Sequence, residues 1–140
     1  MDLIAQANAC DVKFMEHLPS EQSAKISDEY DLILDAIFGF SFKGEIREPF
    51  LTLIQQLKES KLPVVSVDIP SGWNVETGEN SQGFEQPECL VSLSAPKQAA
   101  AMFKGTHYLG GRFMPPSLLD KYNCRPPVAY QGSDQFLRLN

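Results

Sequence analysis

The sequence predicts one α/β domain on a mostly parallel sheet, and three observations carry that prediction. Short apolar runs, DLILDAIF, VVSVDI and CLVSL, each end at a turn bearing glycine, proline or serine. Runs of this length, rich in aliphatic residues, have the character of strands buried in a parallel sheet. A stretch of helical period joins the first two runs within about forty residues. Such a strand–helix–strand unit places its strands parallel. At 140 residues, with 43% apolar and 21% charged, the chain has the length and composition for a single core. No repeat or internal boundary divides it.

Taken in order, Asp2–Cys10 reads as the end of a helix, Asp11–Met15 as a short strand and Pro19–Asp28 as a polar loop. Asp31–Phe38 is a buried strand by its continuous apolar character. After the loop FSFKGEIRE a helix opens, with Glu48 near its N-cap and Pro49 at N1, where a missing N–H costs nothing. Phe50, Leu53, Ile54 and Leu57 form its core-facing stripe. Lys58 and Lys61 lie at its end, where the helix dipole favours cations. The strand Val64–Ile69 follows, then an irregular loop, Trp73–Pro87, and a third buried strand, Cys89–Leu93. Lys97–Met102 reads as a short helix, Thr106–Phe113 as a strand and Pro115–Tyr122 as a helix opened by prolines. Asn123–Asn140 reads as mostly irregular, with a short final strand.

Composition narrows the functional classes. Twelve basic against eighteen acidic residues leave a formal charge of −6, which argues against nucleic acid or an anionic membrane surface as partner. No apolar run approaches the roughly 20 residues needed to cross a bilayer. The amino terminus, MDLIAQANACDVKF, has no basic region ahead of an apolar stretch, so a cytoplasmic location is expected. Cys10, Cys89 and Cys124 are odd in number and widely spaced, which reads as free buried thiols. His17 and His107 are the only histidines, too few for a zinc site.

Ligands of open parallel sheets collect outside the carboxyl ends of the strands. Asp35 in LILDAIFGFSFKG and Asp68 in VVSVDIPSG both stand there, each followed by a glycine-bearing turn. Two carboxylates in one crevice can orient a hydroxyl, act as a base or bind a cation. Ser71 adds a hydroxyl three residues after Asp68, and Gly39 and Gly44 let backbone N–H groups approach an anion. Each aspartate can equally be a turn cap. Trp73 reads as a packing residue over the turn, with a ring beside a cofactor base as the alternative, and His107 and Tyr108 as packing on the sheet.

VDIPSGWNVETG, preceded roughly thirty residues earlier by DAIFGFSFKGEIREPF, resembles the NAD(P)H-hydrate epimerase family, the YjeF N-terminal type of domain. SLSAPKQAA and HYLGGRFMPP resemble its later segments, so the likeness runs from Met1 to Asn140. It implies a Rossmann-like three-layer α/β/α fold with a mostly parallel sheet, residues 1–140 forming the carboxyl-terminal two-thirds of one family domain. It implies interconversion of the R and S epimers of NADHX and NADPHX, the hydrated nicotinamide cofactors, and a homodimer. It also implies one potassium ion per subunit at Asp35 and Ser71. Gly39, Phe40, Ser41, Phe42, Lys43, Gly44 and Glu45 would lie along the dinucleotide, and Asp68 would contact it near the reacting ring. Asp68 as acid/base is an inference from its strand-end position.

Family members begin with a strand and a GNNGGDG-like stretch that contacts phosphates and lends an Asn to the ion. Such a stretch is not found in this sequence. The first two strands of the 3-2-1-4-5 sheet are therefore expected to be missing, leaving Asp31–Phe38 at an open edge. The potassium site should be incomplete and weak. The isolated chain is expected to be unstable, aggregated or dependent on a partner strand, and to lack epimerase activity. The alternative is a non-catalytic interaction or dimerisation module, as relatives of this domain are in RNA-decapping factors.

Overall fold

Strands form inside the apolar runs, and most are shorter than the runs that hold them. The computed structural model describes residues 2–15, 18, 25–126 and 129–140. β1 (Ile33–Asp35), β2 (Val64–Val67), β3 (Cys89–Leu93) and β4 (Thr106–Gly110) lie side by side in chain order, all parallel. β5 (Leu137–Arg138), the short final strand, joins β4 antiparallel. Among the described residues β1 pairs on one side only, so it forms the edge. β2 stops at Val67 because Asp68 takes a left-handed φ of 71°. β4 stops at Gly110, not Phe113, because Gly111 turns the chain with a φ of 69°.

Among the described residues, four α-helices and one three-ten helix connect or flank these strands. α1 (Leu3–Ala9) is capped by Asp2, whose carboxylate accepts from the Ile4 N–H at 3.0 Å. Asp11–Met15 is not a strand. The Val12 N–H closes the helix end on the Ala7 carbonyl at 3.0 Å, so this segment spends its backbone groups locally. α2 (Ile26–Glu29) makes one helical turn where a loop is expected. The preceding part of that loop and His17 lie outside the described residues. α3 (Phe50–Glu59) is the crossover between β1 and β2, with Pro49 rather than Glu48 at the N-cap. Glu48 still serves the first turn, accepting from the Thr52 hydroxyl at 2.9 Å. The three-ten helix Gln98–Met102 and α4 (Pro116–Lys121) follow β3 and β4.

The two faces of the sheet differ. Paired positions Ile33, Val64, Leu90, Leu109 and Leu137 fall on one face, and all are buried. Over it, Ile54 of α3 packs with Ile33, Val64, Ile46 and Phe84. Ala99 of the three-ten helix packs with Leu90, Ile69, Trp73 and Phe103. On the other face Val65, Val67, Val91 and Tyr108 are half-buried, and Leu34 is 64% exposed. The run DLILDAIF is therefore buried on one side only. No residue of α1, α2 or α4 is buried. All three cysteines are free, but Cys10 is exposed rather than buried. Cys89 is half-buried, and that burial pushes its thiol up.

Candidate active site

The crevice is assembled by backbone turns that follow β1, β2 and β3 at their carboxyl ends. Asp35 is the last residue of β1 and points to the covered face, 1% exposed. A carboxylate so deep needs donors at both oxygens. Oδ2 accepts from the Ser66 hydroxyl and the Ser71 N–H, both at 2.8 Å. Oδ1 accepts from the Ser71 hydroxyl at 2.5 Å and the Ile37 N–H at 3.4 Å. The Ser71 oxygen in turn accepts from the Phe38 N–H at 3.1 Å. Asp35 thus ties β1 to β2 and fixes the Pro70–Gly72 turn.

Asp68 sits one residue past β2 in the left-handed region, which costs a non-glycine residue on the order of 1 kcal/mol. Strain of this kind collects at functional sites, where the surroundings hold it. Its side chain is 13% exposed, and Oδ2 accepts from the Phe40 N–H at 2.9 Å. Gly39 permits this approach, since a Cβ there would come within 3.0 Å of Oδ2. The other oxygen, Oδ1, accepts from the ammonium of Lys97. Lys97 follows β3, just past Ser94, which also has a left-handed φ, of 64°.

Gly39, Asp68, Ser71 and Asp35 therefore meet at one carboxyl edge, joined by segment 38–40. The two carboxylates do not share a solvent-facing position: Asp35 is sealed under the Ser71 turn, and the Asp68 side chain keeps 13% of its surface exposed. Phe40, Ser41, Lys43, Gly44 and Glu45 are exposed on the intervening loop. Phe42 is held by stacking on Phe38, with centroids 4.3 Å apart. Phe42, Lys43 and Gly44 form one wall of a cleft of about 310 Å³ whose other wall is Gly72–Glu76. Trp73 is buried there, and its Nε1 donates to the Phe84 carbonyl at 2.7 Å, a packing role as expected. His107 is also buried, sharing a 2.9 Å hydrogen bond with Ser92.

Sequence reasoning missed Ser66 and Lys97. Ser66 becomes visible only with the register, which sets it beside Asp35. Lys97 had a signal: Ser94-Ala95-Pro96 ends a third strand at the same edge, and Lys97 is the first charged residue after it. For a potassium ion, Asp35 and Ser71 offer hard oxygens, the right kind of ligand. Two residues fall short of the six or more oxygens large hard cations gather, and their oxygens are engaged with each other. They fit such an ion in kind but not in number.

An open, mostly parallel sheet with polar side chains gathered at its carboxyl edge places the chain in the α/β class, whose ligands collect at that edge. The family model described as YjeF-related protein N-terminus matches residues 2–99, and the chain belongs to that family. It is 51% identical over 123 residues to an NAD(P)H-hydrate epimerase of Paramecium tetraurelia, covering 88% of this chain and 52% of that protein. A protein of the same name from Anopheles darlingi is 51% identical over 118 residues, 84% of this chain and 51% of that one. A crystal structure of yeast YNU0 superposes with a TM-score of 0.72 at 42% identity, covering 81% of this chain and 48% of that chain. The chain spans about half the length of the curated relatives it matches.

Proposed function

We propose that this chain carries the acid/base end of an NAD(P)H-hydrate epimerase site. The observation that supports this best is Asp68, a carboxylate at the crevice, gripped at both oxygens and flanked by the exposed Gly39–Glu45 loop. Adding water across an enamine double bond places the hydroxyl on the carbon bound to the ring nitrogen. Inversion there needs the hydroxyl proton to leave and return. As it leaves, the carbon–nitrogen bond opens and its electron pair goes to nitrogen; closure on the opposite face returns the proton. Asp68 is the group we assign to take and return it. Positioned acid–base groups of this kind contribute about 10²–10⁴-fold.

Gly39–Glu45 lies along the dinucleotide in this reading, its backbone N–H groups and Lys43 meeting negative charge. Asp35 and Ser71 would hold a potassium ion through oxygen, and the ion would supply a fixed positive charge. NADHX and NADPHX are both accommodated, and the assembly is a homodimer.

The test is two measurements on the purified 140-residue chain with R-NADHX. Amide resonances of Gly39–Glu45 and Asp68 are followed during titration, and R-to-S conversion is followed by chromatography. Shifts confined to those amides are the expected result, with any conversion abolished in Asp68→Asn. Binding without any conversion assigns the chain to the non-catalytic modules of the same family. No shift at those amides overturns the reading.

A further inference from the structure

Asp68 is held by a partner from a third loop, and that partner defines a further functional residue. We propose that Lys97 is a positioning residue of this site, a fixed cation that aims the Asp68 carboxylate into the crevice. The inference rests on the reading of Asp68 as proton carrier.

The ammonium of Lys97 donates to Asp68 Oδ1 and, at 3.0 Å, to the carbonyl of Leu93, the last residue of β3. Two of its three N–H donors are thereby fixed. Its backbone is anchored as well: Lys97 is the N-cap of the three-ten helix, whose Ala99 is fully buried. On the other oxygen the Phe40 N–H completes the grip. The carboxylate is thus held between the loop after β1 and the loop after β3, although it belongs to the turn after β2.

An ordinary surface ion pair is solvated and free to separate. Here the side chains of Lys97 and Asp68 are 20% and 13% exposed. The backbone on both sides of the pair is also in the left-handed region, at Asp68 and at Ser94. Those two turns bring the residue after β2 and the loop after β3 face to face. Without the ammonium, Asp68 keeps only the Phe40 contact and can rotate away from the reacting carbon. Substrate affinity comes mainly from the Gly39–Glu45 loop and does not depend on that aim.

Wild type, Lys97→Met, Lys97→Arg and Asp68→Asn are compared in the full chain. The Phe40 amide resonance reports the carboxylate that it donates to, and the Phe38 amide, bound to Ser71, reports the intact fold. Phe40 should move in Lys97→Met toward its Asp68→Asn position and return near wild type in Lys97→Arg, while Phe38 stays in place. In turnover, kcat should fall roughly 10- to 100-fold in Lys97→Met, as misaimed catalytic groups do. KM should hold within about twofold, and Lys97→Arg should recover most of the rate. An unmoved Phe40 amide in Lys97→Met, or a Lys97→Arg variant as impaired as Lys97→Met, overturns the proposal. Absence of turnover in wild type counts against the epimerase reading alone, because the amide comparison still decides the role of Lys97.

Discussion

The turn after β1 and the turn after β2 each carry an aspartate, and the surroundings of the two carboxylates differ in every respect that matters chemically. Asp35 accepts from the Ser66 hydroxyl, the Ser71 N–H, the Ser71 hydroxyl and the Ile37 N–H, all neutral donors fixed by the fold. Asp68 accepts from one backbone N–H and one ammonium, and part of it reaches solvent. The first arrangement replaces water with fixed protein donors at both oxygens. The second holds a charge in place and leaves part of it open to solvent. A strand-end carboxylate is therefore a sealed structural tie or an accessible charge according to how many fixed donors close around it.

The largest effect that can break this contrast is on stability, at Asp35. Asp35→Ala leaves the buried Ser66 hydroxyl and Ser71 N–H without their acceptor. Each unsatisfied group costs about 1–3 kcal/mol, so a loss of roughly 2–6 kcal/mol is expected. That is a large share of the ~5–15 kcal/mol net stability of a domain. Urea unfolding should show a much lower midpoint or no cooperative transition at all. Asp68→Asn should lower stability by clearly less, because the amide keeps an oxygen for the Phe40 N–H and leaves one bond, to Lys97, to be replaced. Equal losses in the two variants would erase the distinction.

A smaller effect isolates the Asp68 side. Gly39→Ala places a methyl 3.0 Å from Asp68 Oδ2, tighter than packed atoms tolerate, so the carboxylate must give way. Gly39 does not have a left-handed φ, and alanine fits its backbone. Stability should fall by at most about 1 kcal/mol, while the Phe40 amide shifts and any turnover drops roughly tenfold. A Gly39→Ala protein with an unchanged Phe40 amide would show that Asp68 is not held against this segment.

Much of this was legible in the sequence. The strand–helix–strand unit, the β3 and β4 strands and the two strand-end aspartates follow from apolar runs and the turns that stop them. What separates Asp35 from Asp68 was not legible. Both stand before glycine turns, and only the register shows Ser66 beside one and only the third loop brings Lys97 to the other, 29 residues on. The edge position of β1 was legible, but its one-sided burial was not, because Leu32 and Leu34 are as apolar as Ile33 and hide the alternation. Asp11–Met15 was misread for a related reason. Strand propensity depends on context, and here the Val12 N–H is already bonded to α1 although the edge of β1 is open among the described residues.

The smallest effect sharpens the contrast from the covered face, where Asp35 and His107 fall in one row through Ser66 and Leu90. Asp35 has four donors there, whereas the His107 ring has Ser92 at 2.9 Å and the edge-on ring of Phe103. Burial pushes the imidazole below its ordinary value, so the folded protein holds His107 neutral where the unfolded chain would protonate it. The sign follows from proton counting. Below the unfolded value, near pH 6.5, the unfolded state binds more protons, and stability falls as pH falls from there toward the folded value. Above pH 6.5 neither state is protonated at this ring, and it adds no slope. One proton limits the effect to about 1.4 kcal/mol per pH unit. Denaturant midpoints from pH 7.5 to 5 should fall faster in wild type than in His107→Gln, which is neutral throughout. Every other titratable group is common to the two proteins and cancels in the difference. Parallel curves would mean that this face accepts an imidazolium with a single polar partner, and the four bonds around Asp35 would then be more than burial of a charge there requires.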